Sequence, residues 1–106
     1  MDDPDAPVGI FTHWVLFNLP HDTSGLKENL PKDKKLLNGA LQGVNDFRRI
    51  GYGGPCPPPG RSHRYIFALY ALDAELTLSP GATKAQVLNA IKGHVLQEAK
   101  LVGIFP

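Results

Sequence analysis

Residues 64–73 read Arg-Tyr-Ile-Phe-Ala-Leu-Tyr-Ala-Leu-Asp, and this stretch has apolar side chains on both faces of an extended chain. Tyr65 and Phe67 point to one side, and Ile66 and Leu72 point to the other, because successive strand residues alternate. A strand that is apolar on both faces is typical of the interior of a packed sheet. We therefore predict a central strand over 64–73 that is covered on both faces.

The composition of the whole chain favours an all-β domain over a helical one. Glycine (11) and proline (10) make up about a fifth of the 106 residues, which excludes a helical bundle and favours short strands joined by turns. The length predicts a single domain over 1–106. A formal net charge of +1 gives no electrostatic reason to expect a nucleic-acid partner.

The single cysteine and the apolar pattern indicate where the protein resides. Cys56 alone forms neither an internal disulfide nor a zinc site, which is typical of a reducing compartment. The N-terminus is acidic, unlike a signal peptide, and the longest apolar run has eight residues, 65–72, too few to span a bilayer. We expect a cytoplasmic protein with no integral membrane segment.

The remaining sequence divides into four kinds of segment. The β-branched and aromatic run 10–19 predicts a strand, and the mixed-charge segment 20–46 predicts an irregular connection with at most a short turn of helix or strand. The glycine- and proline-rich segment 47–63 predicts a stiff loop. Thr83 and Gln86 form a capping box that predicts a helix over 83–99, with a short final strand over 101–105. The predicted apolar stripe of this helix comprises Val87, Leu88, Ile91, Val95 and Ala99.

A few polar side chains have the chemistry to bind an anion. Asp3 and Asp5 lie in a proline-fixed turn, His13 lies in the first long strand, and His63 and Tyr65 enter the central strand. Imidazolium and phenol groups donate hydrogen bonds to phosphate, carboxylate or sulfate. A lone histidine equally fills a structural hydrogen-bonding role, and spacing does not separate the two. No nucleotide-binding, cofactor or metal motif is present, since the glycines at 51–54 are not followed by a helix.

Several motifs in order resemble the phosphatidylethanolamine-binding protein family, and in particular its prokaryotic, Raf kinase inhibitor-like branch. These are Asp3-Pro-Asp-Ala-Pro7, His13-Trp14, Gly54-Pro-Cys-Pro-Pro58, Gly60-x-x-His-Arg-Tyr65, and the runs from Gly39 to Phe47 and from Gly93 to Gly103. The resemblance implies an antiparallel Greek-key β-sandwich with one C-terminal helix. It also implies an anion pocket at one end, formed by Asp3, Asp5, His13, Pro55, His63 and Tyr65.

The resemblance implies a non-enzymatic protein that binds phosphate or a phosphoethanolamine-like head group, with no cofactor and no catalytic residue. One alternative is a regulator that inhibits a kinase or protease through the same surface. A second is a weak hydrolase with His63 as the base. Because this chain starts at the Asp-Pro-Asp motif, we expect it to lack N-terminal strands of the family fold. Uncovered edges would then expose apolar surface and favour self-association, for example as a homodimer.

Overall fold

A computed structural model describes all residues from 1 to 106, and the chain is mainly β with antiparallel pairing throughout. The elements are β1 (Asp2–Asp3), β2 (Phe11–Thr12), β3 (Leu16–Phe17), β4 (Leu41–Gln42), β5 (His63–Leu72), α1 (Lys84–Ile91) and β6 (Val95–Phe105). One sheet has four strands in the order β2-β1-β5-β6, and the other pairs β3 with β4. The predicted fold class, an antiparallel β-sandwich with one helix toward the C-terminus, is confirmed.

The long pair of β5 and β6 forms most of the larger sheet. Its ladder runs from His63 opposite Phe105 to Leu72 opposite Val95, with an irregularity near Leu72. The predicted strand over 64–73 is therefore present, and β5 lies inside the sheet between β1 and β6. The prediction that both of its faces are covered is wrong, because in its second half only the face with Tyr70 and Leu72 packs on the hydrophobic core, whereas Leu69 on the other face is 63% exposed.

The run 10–19 forms two short strands that belong to different sheets. The chain leaves the larger sheet at His13 and Trp14, whose backbone amides both donate to the carbonyl of Met1. It then joins the smaller sheet, where β3 pairs with β4. The single predicted strand is therefore wrong, because a crossing between two sheets breaks the ladder in its middle.

The irregular connection 20–46 is organised by one fully buried side chain, Gln42 on β4. Its Nε2 donates to the carbonyls of Pro31 and Asp33, at 2.8 Å each, and its Oε1 accepts from Trp14 Nε1 at 2.8 Å. Each bond satisfies a group that burial would otherwise leave unpaired. The predicted irregularity is confirmed, and β4 is the short strand within it.

The hydrophobic core lies between the smaller sheet, α1 and the loop that precedes α1. It is built around Val15, Phe17, Leu76, Ala82 and Ile91, and half-buried side chains of β5 and α1 pack against it. This core holds the β3–β4 layer in place. The opposite end of the molecule, where β1 and β2 meet β5, is filled by polar and aromatic side chains instead.

The helix α1 is half as long as predicted. The capping box is confirmed, because Thr83 Oγ1 accepts from the amide of Gln86 and the Gln86 side chain accepts from the amide of Thr83. The helix nevertheless ends at Ile91, since Gly93 adopts a left-handed φ of +79° that terminates it. Val95 and Ala99 therefore lie on β6, which is longer than the predicted strand over 101–105.

Candidate functional site

The turn that follows β1 holds a buried carboxylate against an imidazole. Asp3 Oδ2 lies 2.7 Å from His63 Nδ1, and both side chains are almost completely buried. The second oxygen, Oδ1, accepts from the backbone amide of Asp5 at 2.8 Å, an Asx-type turn that Pro4 helps to fix. Asp3 therefore sets the orientation of the His63 ring and accepts from its Nδ1–H, which directs Nε2 away from the carboxylate.

His13 reaches the same region from the crossing between β2 and β3. Its Nδ1 lies 2.7 Å from the carbonyl oxygen of Gly53. A carbonyl only accepts, so Nδ1 carries the proton and Nε2 is the free ring nitrogen. The amide of Gly53 donates in return to the carbonyl of His13 at 2.9 Å, which ties the glycine- and proline-rich loop to the strand.

Tyr65 lies close to both imidazoles. Its ring centroid is 5.3 Å from that of His13 and 6.5 Å from that of His63, and the residue is only 3% exposed. Its hydroxyl is buried without a hydrogen-bond partner in the protein. Burial, with a smaller contribution from the charge of Asp3, raises the pKa of the Tyr65 phenol, so at neutral pH the group is a protonated donor.

The two imidazole Nε2 atoms are likewise available for binding. Neither has a hydrogen-bond partner in the protein, yet neither is sealed from solvent as the Tyr65 hydroxyl is. His13 and His63, far apart along the chain, thus each have one free ring nitrogen, and both rings lie close to that of Tyr65. The sequence named these three residues separately, and the fold brings them together.

The carboxylate of Asp5 lies near the protein surface, where it contacts Arg64 rather than the imidazoles. Its carboxylate binds Arg64 through a two-pronged contact, with Nε at 2.9 Å and Nη2 at 2.8 Å, and also accepts from the Arg64 amide. These hydrogen bonds from Arg64 hold the pKa of Asp5 well below its usual range. Its charge is therefore already matched by a cation, and of these two carboxylates only Asp3 orients a histidine.

Pro55 is half-buried in the loop that Gly53 anchors. Beside this loop lies an open cleft of about 360 Å³, lined by Phe47, Gly53 and Cys56 among others. The cleft does not contain the imidazoles or Tyr65, but it adjoins the His13 side of the site through Phe47 and Gly53. Pro55 itself is not among the residues that line this cleft.

Three residues that contact His13 were not among the predicted site residues: Phe11, Phe47 and Gly53. The rings of Phe11 and Phe47 each lie 5.2 Å from that of His13, in edge-on contact. Phe11 shares the strand face of His13 by alternation, so its position was detectable. No comparable sequence pattern indicates that Phe47 contacts His13, because this contact depends on how the loop after β4 folds back.

Two further findings concern metals and membranes. No three His, Cys, Asp or Glu side chains come together as metal ligands do. The one helix, α1, is too short to pass through a bilayer.

Comparison with known proteins shows the family of this chain. The family model for phosphatidylethanolamine-binding protein matches residues 1–106. The chain belongs to this family. A UPF0098 protein from Methanothermobacter thermautotrophicus is 58% identical over 104 residues, which cover 98% of this chain and 68% of the relative. A UPF0098 protein from Aquifex aeolicus is 49% identical over 99% of this chain and 62% of its own length.

The fold of this phosphatidylethanolamine-binding protein family member also matches that of a solved structure. A putative phosphatidylethanolamine-binding protein homolog from Chlamydia trachomatis superposes with a TM-score of 0.88 at 39% identity. The alignment covers 99% of this chain and 67% of that one. The chain thus spans about two thirds of the length of these relatives.

Proposed function

We propose that this chain is a non-enzymatic binding protein for small phosphate-bearing anions, such as a phosphomonoester or a phospholipid head group. The observation that carries the proposal is that two imidazoles, each with a free Nε2, lie 5.3 and 6.5 Å from the ring of Tyr65, whose buried hydroxyl has no partner in the protein. A phosphate group has enough acceptor oxygens to engage all three donors at once.

The positions of the protons define how such an anion would bind. Because Nδ1 of both rings already donates within the protein, each Nε2 donates only when its ring is protonated. A phosphate oxygen can therefore accept from either Nε2 only when that atom carries a proton. Tyr65 is a protonated donor at neutral pH, because burial raises the pKa of its phenol.

The nearby carboxylates do not repel the anion strongly, since each already accepts hydrogen bonds from other groups of the protein. Asp3 is held by His63 and by a backbone amide, and Asp5 is held by Arg64. Binding is favoured over hydrolysis because no serine, threonine or cysteine hydrogen-bonds either imidazole, so no nucleophile is positioned for activation. Cys56 is exposed and makes no such contact.

The test is a titration with inorganic phosphate and with O-phosphoethanolamine, followed through the ring ¹⁵N signals of all four histidines. His13 and His63 should shift and saturate together. His94 is a matched control, because its Nδ1 also lies 2.7 Å from a carboxylate, that of Asp73, but on the surface. His21, which is exposed, is a second control. No shift of His13 or His63 up to millimolar ligand, or equal shifts of all four rings, would refute the proposal.

The same samples distinguish binding from turnover. ³¹P spectra should show O-phosphoethanolamine intact after prolonged incubation, and release of inorganic phosphate would point to the hydrolase alternative. His13→Gln should weaken binding by about tenfold or more, because it deletes one of the imidazoles that would donate to the anion. His94→Gln should leave it unchanged.

A further inference from the structure

The cleft beside the glycine- and proline-rich loop is lined by two cations and by no carboxylate. Its volume is about 360 Å³, and its lining residues include Lys32 and Arg49 but no aspartate or glutamate. Neither cation takes part in an ion pair within the protein. Charges of one sign that line a concave surface raise the local concentration of ions of the opposite sign. The cleft therefore favours an anion.

The rest of the lining offers an apolar surface of the size of a small molecule. Phe47 and Tyr52 are aromatic residues that are nevertheless 42% and 37% exposed, and Ile50 beside them is half-buried. Aromatic rings provide a large apolar area for packing against a ligand. Clefts of about 300–1,000 Å³ that combine such surfaces with a few polar groups are typical of binding sites for small molecules.

Close contacts at two glycines hold the walls of the cleft in place. A Cβ atom on Gly53 would lie 2.6 Å from the ring of Phe47, so only glycine lets that ring lie against the loop. A Cβ atom on Gly51 would lie 3.1–3.3 Å from the Cα, Cβ and Cγ atoms of Lys32, and the φ of Gly51 is +96°. These contacts fix the ring of Phe47 and the base of the Lys32 side chain before any ligand binds.

The loop that carries Arg49 is held by the buried side chain of Asn45. Its Oδ1 accepts from the backbone amides of Phe47 and Arg49, at 2.9 and 3.2 Å, and its Nδ2 donates to the carbonyl of Gly51 at 2.9 Å. Within this loop Arg48 adopts a left-handed φ of +64°, a conformation that costs energy for a residue with a side chain. Because only the backbone of Arg49 takes part in these contacts, its guanidinium is available to a ligand.

We propose that this cleft is a second binding site, for a small organic acid with an apolar or aromatic body. Lys32 and Arg49 would bind the acidic group, since a guanidinium donates two parallel hydrogen bonds to a carboxylate and an ammonium adds a second positive charge. The apolar body would pack on Phe47 and Tyr52. None of the residues of the proposed phosphate site lines the cleft, so this inference does not rest on the proposed function.

Cys56 reports on the cleft directly, because it is the single cysteine of the chain, is exposed and lines the cleft. The whole chain is alkylated with iodoacetate or with iodoacetamide, which differ in charge, and the ratio of the two rates is compared with that of N-acetylcysteine amide. Both reagents react with the same thiolate, so ionisation of the thiol cancels in the ratio.

The anionic reagent should be favoured by the cleft. The rate ratio of iodoacetate to iodoacetamide should exceed that of the small thiol by about fivefold at about 0.1 M salt, where charges more than about 10 Å away are screened. Lys32→Gln and Arg49→Gln should each lower the ratio by about twofold, since each removes about half of the attraction. Arg48→Gln is the matched control, because Arg48 is an exposed cation of the same loop that does not line the cleft. It should leave the ratio nearly unchanged.

Protection of Cys56 tests binding itself. 3-Phenylpropionate should slow the reaction of Cys56 with iodoacetamide in a saturable way, because it has both an acidic group and an aromatic body. 3-Phenylpropionamide has nearly the same shape without the charge and should protect much less at equal concentration. Arg49→Gln should weaken the protection by the acid. Tyr65→Phe changes the proposed phosphate site but no residue of the cleft, so it should leave this protection unchanged.

Three results would overturn the proposal. The first is a rate ratio for Cys56 no higher than that of N-acetylcysteine amide, or one that Arg48→Gln lowers as much as Arg49→Gln does. The second is equal protection by the acid and the amide, or none by either. The third is loss of protection in Tyr65→Phe, which would place the acid at the imidazoles instead of in the cleft. A failed histidine titration would leave all of these measurements valid, because they follow Cys56 alone.

Discussion

Replacing Tyr65 with phenylalanine should make the free protein more stable while weakening its hold on phosphate. The substitution removes one oxygen and keeps the ring that packs between His13 and His63. No protein atom hydrogen-bonds that oxygen, so its loss breaks no internal bond. Burying a hydroxyl without a partner costs about 1–3 kcal/mol, and we expect the free energy of unfolding to rise by about 1 kcal/mol.

The effect on binding has the opposite sign. A hydrogen bond to a charged group contributes about 1.5–3 kcal/mol, and each 1.4 kcal/mol is tenfold in affinity. Tyr65→Phe should therefore weaken phosphate binding by about 10- to 150-fold, with the imidazole signals still shifting at higher ligand concentration. A substitution that stabilises the free protein and weakens its complex identifies a group kept for binding rather than for folding.

The assay pairs urea denaturation of the ligand-free protein with the histidine titration described above. Tyr70→Phe is the control on the same strand, since Tyr70 is half-buried and packs on the hydrophobic core rather than at the site. It should leave the affinity for phosphate unchanged. If Tyr65→Phe lowers the unfolding free energy by more than about 1 kcal/mol, or binds phosphate as the unmodified protein does, the role assigned to the hydroxyl is wrong.

Three other changes test the surroundings of the site. Asp3→Ala leaves the buried imidazole that it holds without a charged partner, so the unfolding free energy in urea should fall by about 2–3 kcal/mol. Asp5→Asn removes the ion pair with Arg64. Because that pair lowers the pKa of Asp5, its stabilisation is present above about pH 4 and is lost as the pH falls further. The deficit of this variant in urea should therefore shrink between about pH 5 and pH 2, and be small in high salt. Gly43→Ala presses a methyl group into a neighbouring backbone carbonyl and should cost about 1–3 kcal/mol by thermal unfolding, whereas Gly25→Ala, in open space, should be neutral.

The sequence was informative wherever a local pattern determines local structure. The alternation in β5 and the capping box before α1 are both decided by neighbours along the chain, and both are present. The end of α1 was predicted wrongly for a related reason. Residues 95–99 fit a helical stripe, but pairing with β5 along the whole ladder outweighs that weak preference once Gly93 has turned the chain.

The site was predictable in its members but not in its geometry. Spacing along the chain does not show that Nδ1–H of His13 donates a hydrogen bond to the carbonyl of Gly53, or that Arg64 forms an ion pair with Asp5. The residues of the first contact are 40 positions apart in the sequence, and those of the second are 59 apart. Both contacts therefore form only when the sheet brings these segments together. The exposed edge of β6 was likewise anticipated only in general terms, because its position depends on the strand order.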